Sequence, residues 1–525
     1  MAQQASESLF GLQHENVRYE LTVQIKKDKT EDASPDVASF RATESLSQPF
    51  TYRIVGAIDP DDVANFETAL GREARFVIKH DEKIVRVVHG IVTDVMPDGI
   101  FVGKTRFRIV FVLEPRMANL RYSGGFRIFQ NKDIREIVTE ICKAEQIACE
   151  WRPFPAPVKH EYCTQLDESD LSFVTRIASE EGMHFFFEHT EEKTTVVFTN
   201  DLRGYHEIED ELTVPFNDAV GAVTGEHVRS IRRVQSVRTG AFEHRDYDPL
   251  PQPKLEGARL FGRKETDGEE TPANSHQREV RDYPGRFIDP EMGKALAVRR
   301  LEELRSDAFS LGGTASSLRF TVGRSFTLEG HRENGFNRKL VLTYIRMEGV
   351  VQGASQEGGF LATTGLTTFT AVPAQVPIHP RRRPKPSSRL QSARVVGPTK
   401  NDPNVDDHGR VKVQFFWDRD GKFDDDSSCW IRMMTPVAHA DEGFYQAHKV
   451  GSEVLVDFID GDIDRPIVLG AVYNHGQPQP MALKGQVAKS TWKTRSIPGN
   501  EGYNELTQDN TAGKEEIFVH AQRDL

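Results

Sequence analysis

Cysteine is scarce in this sequence, and its spacing predicts neither a zinc site nor a redox motif. There are four in 525 residues, Cys142, Cys149, Cys163 and Cys429. They form no C-x-x-C pair and have no partner histidines at zinc spacing. We therefore interpret them as small buried hydrophobic residues of a protein made in a reducing compartment.

Long hydrophobic runs are also missing. No stretch approaches the roughly 18 apolar residues of a membrane-spanning helix. The segment from Met1 to Glu20 is polar and acidic, without the basic start and apolar run of a signal peptide. We expect a protein made in the cytoplasm that would leave the cell by something other than the general export route.

Positive charge is in deficit, since 67 Lys and Arg stand against 79 Asp and Glu and give a net charge of −12. That balance argues against a nucleic-acid binder, which must neutralise phosphates. The length of 525 residues exceeds what one core supports and predicts three or four domains.

Catalytic signatures are lacking too. The sequence has no G-x-S-x-G elbow, no H-E-x-x-H, no Walker loop and no G-x-G-x-x-G. The 17 histidines are dispersed, and His184 and His189 receive no role. We predict no catalytic residue, no cofactor site and no metal site, and hence no enzyme.

Two acidic clusters are the strongest candidates for a metal site, which the sequence otherwise does not predict. The first comprises Asp418, Asp420, Asp424, Asp425 and Asp426, and the second Asp460, Asp462 and Asp464. In the first cluster Gly421 stands at the fourth position rather than the sixth of a calcium loop, and no closing Glu follows. Both clusters lie between predicted strands, where Asp and Gly serve turns.

Short strands separated by turn residues dominate the first 370 residues, so the fold class is mainly β with some helix (α+β). Strands are predicted at Phe50–Val55, Arg75–Lys79, Val85–Val95, Thr105–Leu113 and Leu318–Thr321. Helices are predicted at Asp133–Ala144, Asp170–Glu181 and Glu291–Leu304, the second with Ser169 as N-cap and Gly182 as its stop.

Residues 373–388 combine proline with Arg381, Arg382 and Arg383 and predict a solvated linker. Five strand signals follow, at Ser392–Val396, Gly409–Trp417, Ser428–Met433, Ser452–Phe458 and Pro466–Tyr473. Five short strands at this spacing are typical of an OB-fold barrel. From Lys400 to Val472 there are 8 basic against 15 acidic residues, so a structural barrel is favoured over one that binds nucleic acid or sugar.

Several segments, taken in order, resemble the VgrG proteins, the spike proteins of type VI secretion systems. They are Phe129–Ile134, Tyr162–Leu171, Glu180–His189, Gly409–Phe415, Ser427–Arg432, Gly451–Phe458, Gly461–Val468, Lys493–Ser496, Gly502–Leu506 and Glu515–Leu525. The family is similar to the fused hub and spike of contractile phage tails.

The resemblance implies four parts. Residues 1–372 would form a phage-tail-hub-like base of two paired β-barrels with helical insertions, and 373–388 a Pro/Arg linker. Residues 389–480 would form the OB-fold domain, and 481–525 the neck and start of a trimeric β-helical needle. We expect the chain to lack most of that C-terminal β-helix, because it contains no octapeptide-like shaft repeats.

The resemblance also implies a function: a homotrimeric, non-enzymatic spike at the tip of a secretion tube. Its expected partners are an Hcp-like tube protein and the baseplate below the hub. A PAAR-type tip protein and effectors would bind through the needle, and the target membrane would be contacted only mechanically. The alternatives are the hub-spike of a prophage tail or other contractile particle and, from a different class, an OB-fold protein that binds carbohydrate or nucleic acid.

Overall fold

The computed structural model describes residues 13–14, 17–26, 30–80, 82–100, 105–153, 156–219, 225–247, 249, 262–263, 278–287, 290–351, 363–498 and 501–524. The chain divides into two compact units. The first unit comprises residues 1–123, 134–158 and 169–383. The second unit comprises residues 124–133, 159–168 and 384–525.

The described residues are mostly strand. Strands up to residue 215 are β1 Gln13–His14, β2 Val17–Lys26, β3 Thr30–Ala33, β4 Asp36–Ser45, β5 Gln48–Ile58, β6 Glu73–His80, β7 Lys83–Ile100, β8 Phe107–Glu114, β9 Gly124–Lys132, β10 Cys149–Arg152, β11 His160–Ser169, β12 His184–His189, β13 Thr194–Thr199, β14 His206–Glu207 and β15 Thr213–Pro215. Those up to residue 373 are β16 Val228–Gln235, β17 Ala241–His244, β18 Gly262–Arg263, β19 Glu279–Asp282, β20 Phe309–Ala315, β21 Arg324–Glu329, β22 Lys339–Val351 and β23 Thr363–Pro373. The remainder are β24 Gln391–Val396, β25 Lys412–Phe415, β26 Arg432–Met433, β27 Ala438–His439, β28 Glu442–Gly443, β29 Glu453–Phe458, β30 Pro466–Val472, β31 Lys489–Arg495, β32 Tyr503–Asp509 and β33 Glu516–His520. The α-helices in the described ranges are α1 Val63–Glu67, α2 Ile134–Ala144, α3 Asp170–Glu180 and α4 Pro290–Arg305.

Two β-barrels share one sheet in the first unit. In the first barrel, neighbouring strands follow the order β4, β5, β8, β7, β6 and β2, and the pair Glu20–Asp36 returns β2 to β4. In the second, β16, β20, β23, β22, β21 and β15 are neighbours, and a bridge from Phe216 to Val228 closes the ring. The barrels are joined where β4 pairs with β22. The expectation of paired β-barrels is confirmed.

Period-two alternation explains why these strands close around cores. Along β2 every second side chain is buried, from Val17 and Tyr19 to Ile25, while the residues between them face outward. The core of the second barrel combines mostly aliphatic side chains with an aromatic cluster that contains Phe320, Phe326 and Phe369.

Local signals set the helices. The Ser169 hydroxyl accepts a hydrogen bond from the Ser172 N–H at the start of α3, and Gly182 follows its end with φ +67°. The predicted N-cap and the predicted stop are therefore both confirmed, and α2 and α4 also lie within two residues of their predicted bounds. Leu318–Thr321, in contrast, is not a strand, and the strand lies earlier, at β20.

The second unit contains a five-stranded barrel with the strand order β25, β24, β29, β30 and β26. A bridge between Val411 and Ile431 closes it, and its core includes Val395, Val413 and Phe415. The OB-fold expectation is confirmed. The period of two in Gly409–Trp417 predicts Val411, Val413 and Phe415 on an inner face and Lys412 and Gln414 on an outer one, but Gln414 is fully buried.

A separate antiparallel sheet of β31, β32 and β33 follows the barrel in the second unit. The described part of the chain contains no helix long and apolar enough to cross a membrane.

Candidate functional site

The acidic clusters singled out in the sequence serve the backbone. Asp418 Oδ1 accepts hydrogen bonds from the N–H groups of Asp420 and Gly421, each at 3.1 Å. Asp424 does the same for Asp426. Across the described ranges, no three His, Cys, Asp or Glu side chains are placed to hold a metal ion.

The second cluster has a partner that the sequence did not reveal. Lys385 Nζ lies 2.7 Å from an Asp462 carboxylate oxygen and also contacts Asp464. The Lys385 side chain is only 8 % exposed, and Asp464 also accepts a hydrogen bond from the Thr164 N–H at 2.7 Å. Within the second unit, two buried carboxylates thus hold one lysine.

The predicted solvated linker is only partly solvated, since Arg381 and Arg383 are exposed while Lys385 is nearly buried. At its first-unit end, the Arg382 N–H donates to Glu303 (2.6 Å) and the Arg383 N–H to Ser179 Oγ (3.0 Å). Proline and charge do prevent regular structure here, since no residue from 377 to 390 is helix or strand. They leave Arg381 and Arg383 exposed, while carboxylates from distant parts of the chain bind Lys385 and the Arg382 N–H.

A buried ion pair lies at the junction of the two barrels. Arg86 of β7 contacts the Glu44 carboxylate, and both hydrogen bond to the Tyr52 hydroxyl (2.8 and 2.6 Å). Burial alone would raise the pKa of Glu44, but Arg86 and the hydrogen bonds outweigh it and hold that pKa below its ordinary value. Arg86 further donates to the Phe320 carbonyl (2.7 Å) and Glu44 accepts from the Val322 N–H (3.2 Å), so the pair ties the barrels together.

His184 and His189 belong to the core of the first unit. Burial lowers the pKa of each imidazole to about 3, so both are neutral at pH 7. His184 Nδ1 is 2.9 Å from Ser47 Oγ, and His189 Nδ1 is 2.7 Å from Thr194 Oγ1. Neither arrangement brings the histidines to a catalytic group.

The strongest functional candidate is one face of the C-terminal sheet. Trp492 in β31, Leu506 in β32 and Val519 in β33 are direct cross-strand neighbours. Their exposed fractions are 51, 39 and 50 %, and Ile517 on the same face is 70 % exposed. An apolar row of this kind on a sheet is typical of a surface that another chain covers.

The opposite face is already satisfied. Lys493 pairs with Glu505 at 2.7 Å and Lys489 with Asp509 at 3.3 Å, each pair spanning β31 and β32. The Lys493 hydrogen bond lowers the pKa of Glu505. Ion pairs thus line the opposite face beside Phe518, whereas the face of Trp492, Leu506, Ile517 and Val519 is the more apolar of the two and the better candidate for a partner.

Comparison with known families agrees with this order of parts. Residues 43–353 match the family described as phage tail baseplate hub (GPD). Residues 393–473 match the type VI secretion system/phage-baseplate injector OB domain, and residues 490–525 the bacteriophage T4 gp5 C-terminal trimerisation domain. A Pseudomonas aeruginosa relative, type VI secretion system spike protein VgrG5, is 32 % identical over 99 % of this chain and 64 % of its own length.

The chain belongs to the phage tail baseplate hub (GPD) family, and its curated relatives include proteins named VgrG spike proteins. Proteins of this family are structural components of phage-tail-like machinery. A Vibrio cholerae VgrG named actin cross-linking toxin VgrG1 is 29 % identical over 96 % of the chain and 46 % of its own length. The chain thus spans between about half and two thirds of these VgrG relatives.

A solved structure shows the same fold. It is the E. coli c3393 protein, described as a component of the type VI secretion system with structural similarity to T4 tail proteins gp27 and gp5. Its TM-score is 0.58 at 21 % identity, covering 86 % of this chain and 99 % of that one. The apolar row therefore lies in the VgrG segment that matches a trimerisation domain.

Sequence reasoning placed the start of the needle at 481–525 through resemblance but named no interface residue. Part of the signal was present: Trp492 and Leu506 are each flanked by polar residues, the period of a half-buried strand, whereas Val519 follows Phe518. What the sequence could not supply was the register that aligns the three side chains across the sheet.

Proposed function

We propose that this chain is a structural spike subunit of a type VI secretion system and acts as a homotrimer. One observation carries the proposal: the apolar row of the C-terminal sheet is exposed in a single chain, in the segment matching a trimerisation domain. Three copies related by a threefold axis can cover one another's rows in a closed ring.

The partners follow from that role. We expect the hub to contact an Hcp-like tube protein and the baseplate, and the needle side to carry a PAAR-type tip protein and effectors. The chain would be made in the cytoplasm and delivered outside the cell, or into a target cell, by the contractile apparatus. An immunoblot of culture supernatant tests this, since the protein should disappear from it when the sheath is deleted.

A prophage tail hub is the nearest alternative. The names of the curated relatives and the solved structure with TM-score 0.58 favour the secretion system. The genes beside this one discriminate the two, because sheath and membrane-complex genes belong to a secretion system and capsid genes to a phage.

The proposed action is mechanical rather than catalytic. In the acidic clusters, Asp418 and Asp424 accept hydrogen bonds from turn N–H groups, and Asp462 and Asp464 hold Lys385, which are structural roles. Carbohydrate or nucleic-acid binding by the barrel is the different-class alternative. A glycan array and a low-salt gel shift test it, and we expect no response in either.

Light scattering on the purified chain tests the trimer. We expect three times the 59.3 kDa of one chain, and a Val519→Asp variant that dissociates at concentrations where the parent is trimeric. Burying an unpaired carboxylate costs several kcal/mol, so the dissociation constant should rise by roughly a hundredfold or more.

Phe518→Asp is the matched control, because Phe518 is the neighbouring residue on β33, is 41 % exposed and lies on the opposite face. It should leave the mass unchanged. A monomeric parent at micromolar concentration, or equal dissociation by both variants, would contradict the assignment of this face.

A further inference from the structure

A cleft of about 630 Å³ lies beside the outer wall of the first barrel, within the first unit. It is lined by strands β2, β6 and β7, by the turn from Gln146 to Ala148, and by the β12–β13 hairpin. The turn is fixed, since the Ala148 carbonyl accepts a hydrogen bond from the Val196 N–H at 2.9 Å. The volume of the cleft falls within the usual range of ligand sites.

His89 of β7 holds the hairpin against the barrel. Its Nε2 donates to the Glu191 carbonyl at 3.0 Å, and its backbone N–H donates to Thr194 Oγ1 at 3.2 Å. Glu191 lies in the turn of the hairpin and Thr194 is the first residue of β13, so this wall of the cleft is anchored. A ligand therefore meets a preformed cleft and loses little affinity to its ordering.

Arg75 of β6 faces the cleft. Its neighbours Ala74 and Phe76 are buried in the barrel, so the alternation of a strand turns Arg75 outward. Thr22 on β2 and His89 on β7 are its direct cross-strand neighbours, and all three residues line the cleft. Because Arg75 is half-buried there, the wall of the cleft contains a partly desolvated guanidinium.

This guanidinium has no counter-charge. Within the part of the chain that the structure describes, no ion pair or hydrogen bond joins the Arg75 side chain to another residue. Arg116, also in the cleft, differs, because its guanidinium contacts the Glu73 carboxylate. The other acids of the cleft, Asp32 and Glu192, are exposed and reach no cation in the described ranges. A partly buried guanidinium without an acceptor costs free energy that a carboxylate ligand would recover.

The charges of the cleft favour a carboxylate over a phosphate. A carboxylate carries one charge and accepts two parallel N–H bonds from one guanidinium. A phosphate would bring further negative charge into a cleft that already contains Asp32 and Glu192. Lys193 adds a cation, but it is exposed like these two acids, so solvent screens all three and Arg75 dominates.

We propose that the cleft binds a carboxylate-bearing ligand, with the carboxylate on the Arg75 guanidinium and the rest of the ligand along the cleft. The source of the carboxylate is a peptide or a small organic acid, and the two differ in how much of the cleft they fill. The site goes beyond the spike role and does not rest on it. Trimer formation and ligand binding can therefore fail separately.

Arginine footprinting on the full chain tests the site. Phenylglyoxal modifies accessible guanidinium groups and blocks tryptic cleavage after Arg75, so that the peptide 73–79 replaces 73–75 and 76–79. The probes, compared at equal ionic strength, are acetate, acetyl-tetraalanine with a free C-terminal carboxylate, and the same peptide as its C-terminal amide. We expect both carboxylates to protect Arg75 and the amide to leave it reactive. Protection by the peptide acid at a lower concentration than acetate identifies a peptide ligand, and equal potency identifies a small acid.

Arg53 is the control inside the same sample. It lies on β5 of the same barrel, is exposed and does not line the cleft, so no probe should change its reactivity. By calorimetry, Arg75→Met should weaken binding of the peptide acid roughly tenfold to a hundredfold, and Arg53→Met should have no effect. Arg75→Lys should weaken it by less, because lysine keeps the charge and loses the paired donors.

Three results would overturn the proposal. They are failure of both carboxylates to protect Arg75, equal protection of Arg75 and Arg53, and equal loss of affinity in Arg75→Met and Arg53→Met. The footprint uses the parent protein alone, so it decides the matter should a variant fail to fold.

Discussion

Removing Arg86 should loosen both barrels of the first unit, because this guanidinium is shared between them. In Arg86→Met the Glu44 carboxylate stays buried without its counter-charge, and the Phe320 carbonyl loses its 2.7 Å donor. Breaking a buried ion pair by deleting one partner costs about 3–5 kcal/mol. Local opening of the barrel strands should therefore become roughly a hundredfold to a few thousandfold more frequent.

Hydrogen exchange is the appropriate assay, since a chain with two units need not unfold in a single step. Peptides covering 36–58 and 318–329 should lose protection together, because the pair bonds to both. Arg41→Met is the control: Arg41 also lies on the first barrel and pairs with Glu348 at 2.8 Å, but its side chain is 59 % exposed. Its loss should cost no more than about 1 kcal/mol.

A double-mutant cycle sharpens the test. Replacing Glu44 as well as Arg86 with Met removes both charges, so the double variant should be more stable than the sum of the two single effects predicts. Strict additivity would show that the two groups do not stabilise each other. Loss of protection in only one barrel would refute the shared role.

The remaining predictions concern pH and the linker. His184 and His189 have pKa values near 3 when folded and about 6.5 when unfolded, so the unfolded state alone takes up protons as the pH falls below 6.5. Stability of the first unit should fall by about 1.4 kcal/mol per pH unit for each histidine between pH 6 and 5, as measured by urea midpoints, and the His184→Gln/His189→Gln variant should show a flatter slope. Lys385→Met leaves Asp462 and Asp464 buried without a cation and should destabilise the second unit by about 3–5 kcal/mol in urea unfolding, whereas Arg383→Met should be near neutral.

Each of these outcomes has a clear opposite. An unchanged pH slope in the double histidine variant would show that other groups take up the protons. Equal, small effects of Lys385→Met and Arg383→Met would mean that the linker is solvated after all.

The sequence was sufficient to predict helix boundaries that depend on neighbouring residues. Ser169 and Gly182 bound α3 as expected, because capping involves only neighbouring backbone groups. Leu318–Thr321 failed because its alternating apolar side chains do enter the core, while the Phe320 carbonyl bonds to Arg86 instead of a strand. Sequence periodicity reports burial, and it does not report where the backbone finds its partners.

Gln414 and Lys385 show the same limit for polar residues. Gln414 stands on the predicted outer face of its strand but is fully buried, because its amide bonds to the Asp418 carbonyl and the Ser427 hydroxyl. The Lys385 side chain is buried because it pairs with the carboxylates of Asp462 and Asp464, which lie more than seventy residues later in the sequence. The partners that bury Lys385 are distant in sequence. The partners that bury Gln414 belong to a turn whose backbone path the sequence does not reveal.

The way each barrel closes has a mechanical consequence. Among the described residues, one pair closes each ring, namely Glu20–Asp36, Phe216–Val228 and Val411–Ile431. The other neighbouring strands share more residue pairs, from two between β26 and β30 to eleven between β22 and β23. At the two strands that close each barrel, side-chain packing in the core therefore contributes more to closure than backbone hydrogen bonds do. We expect a shearing force to separate the two closing strands of a barrel before any other neighbouring pair. A cavity introduced into the barrel core should have the same effect.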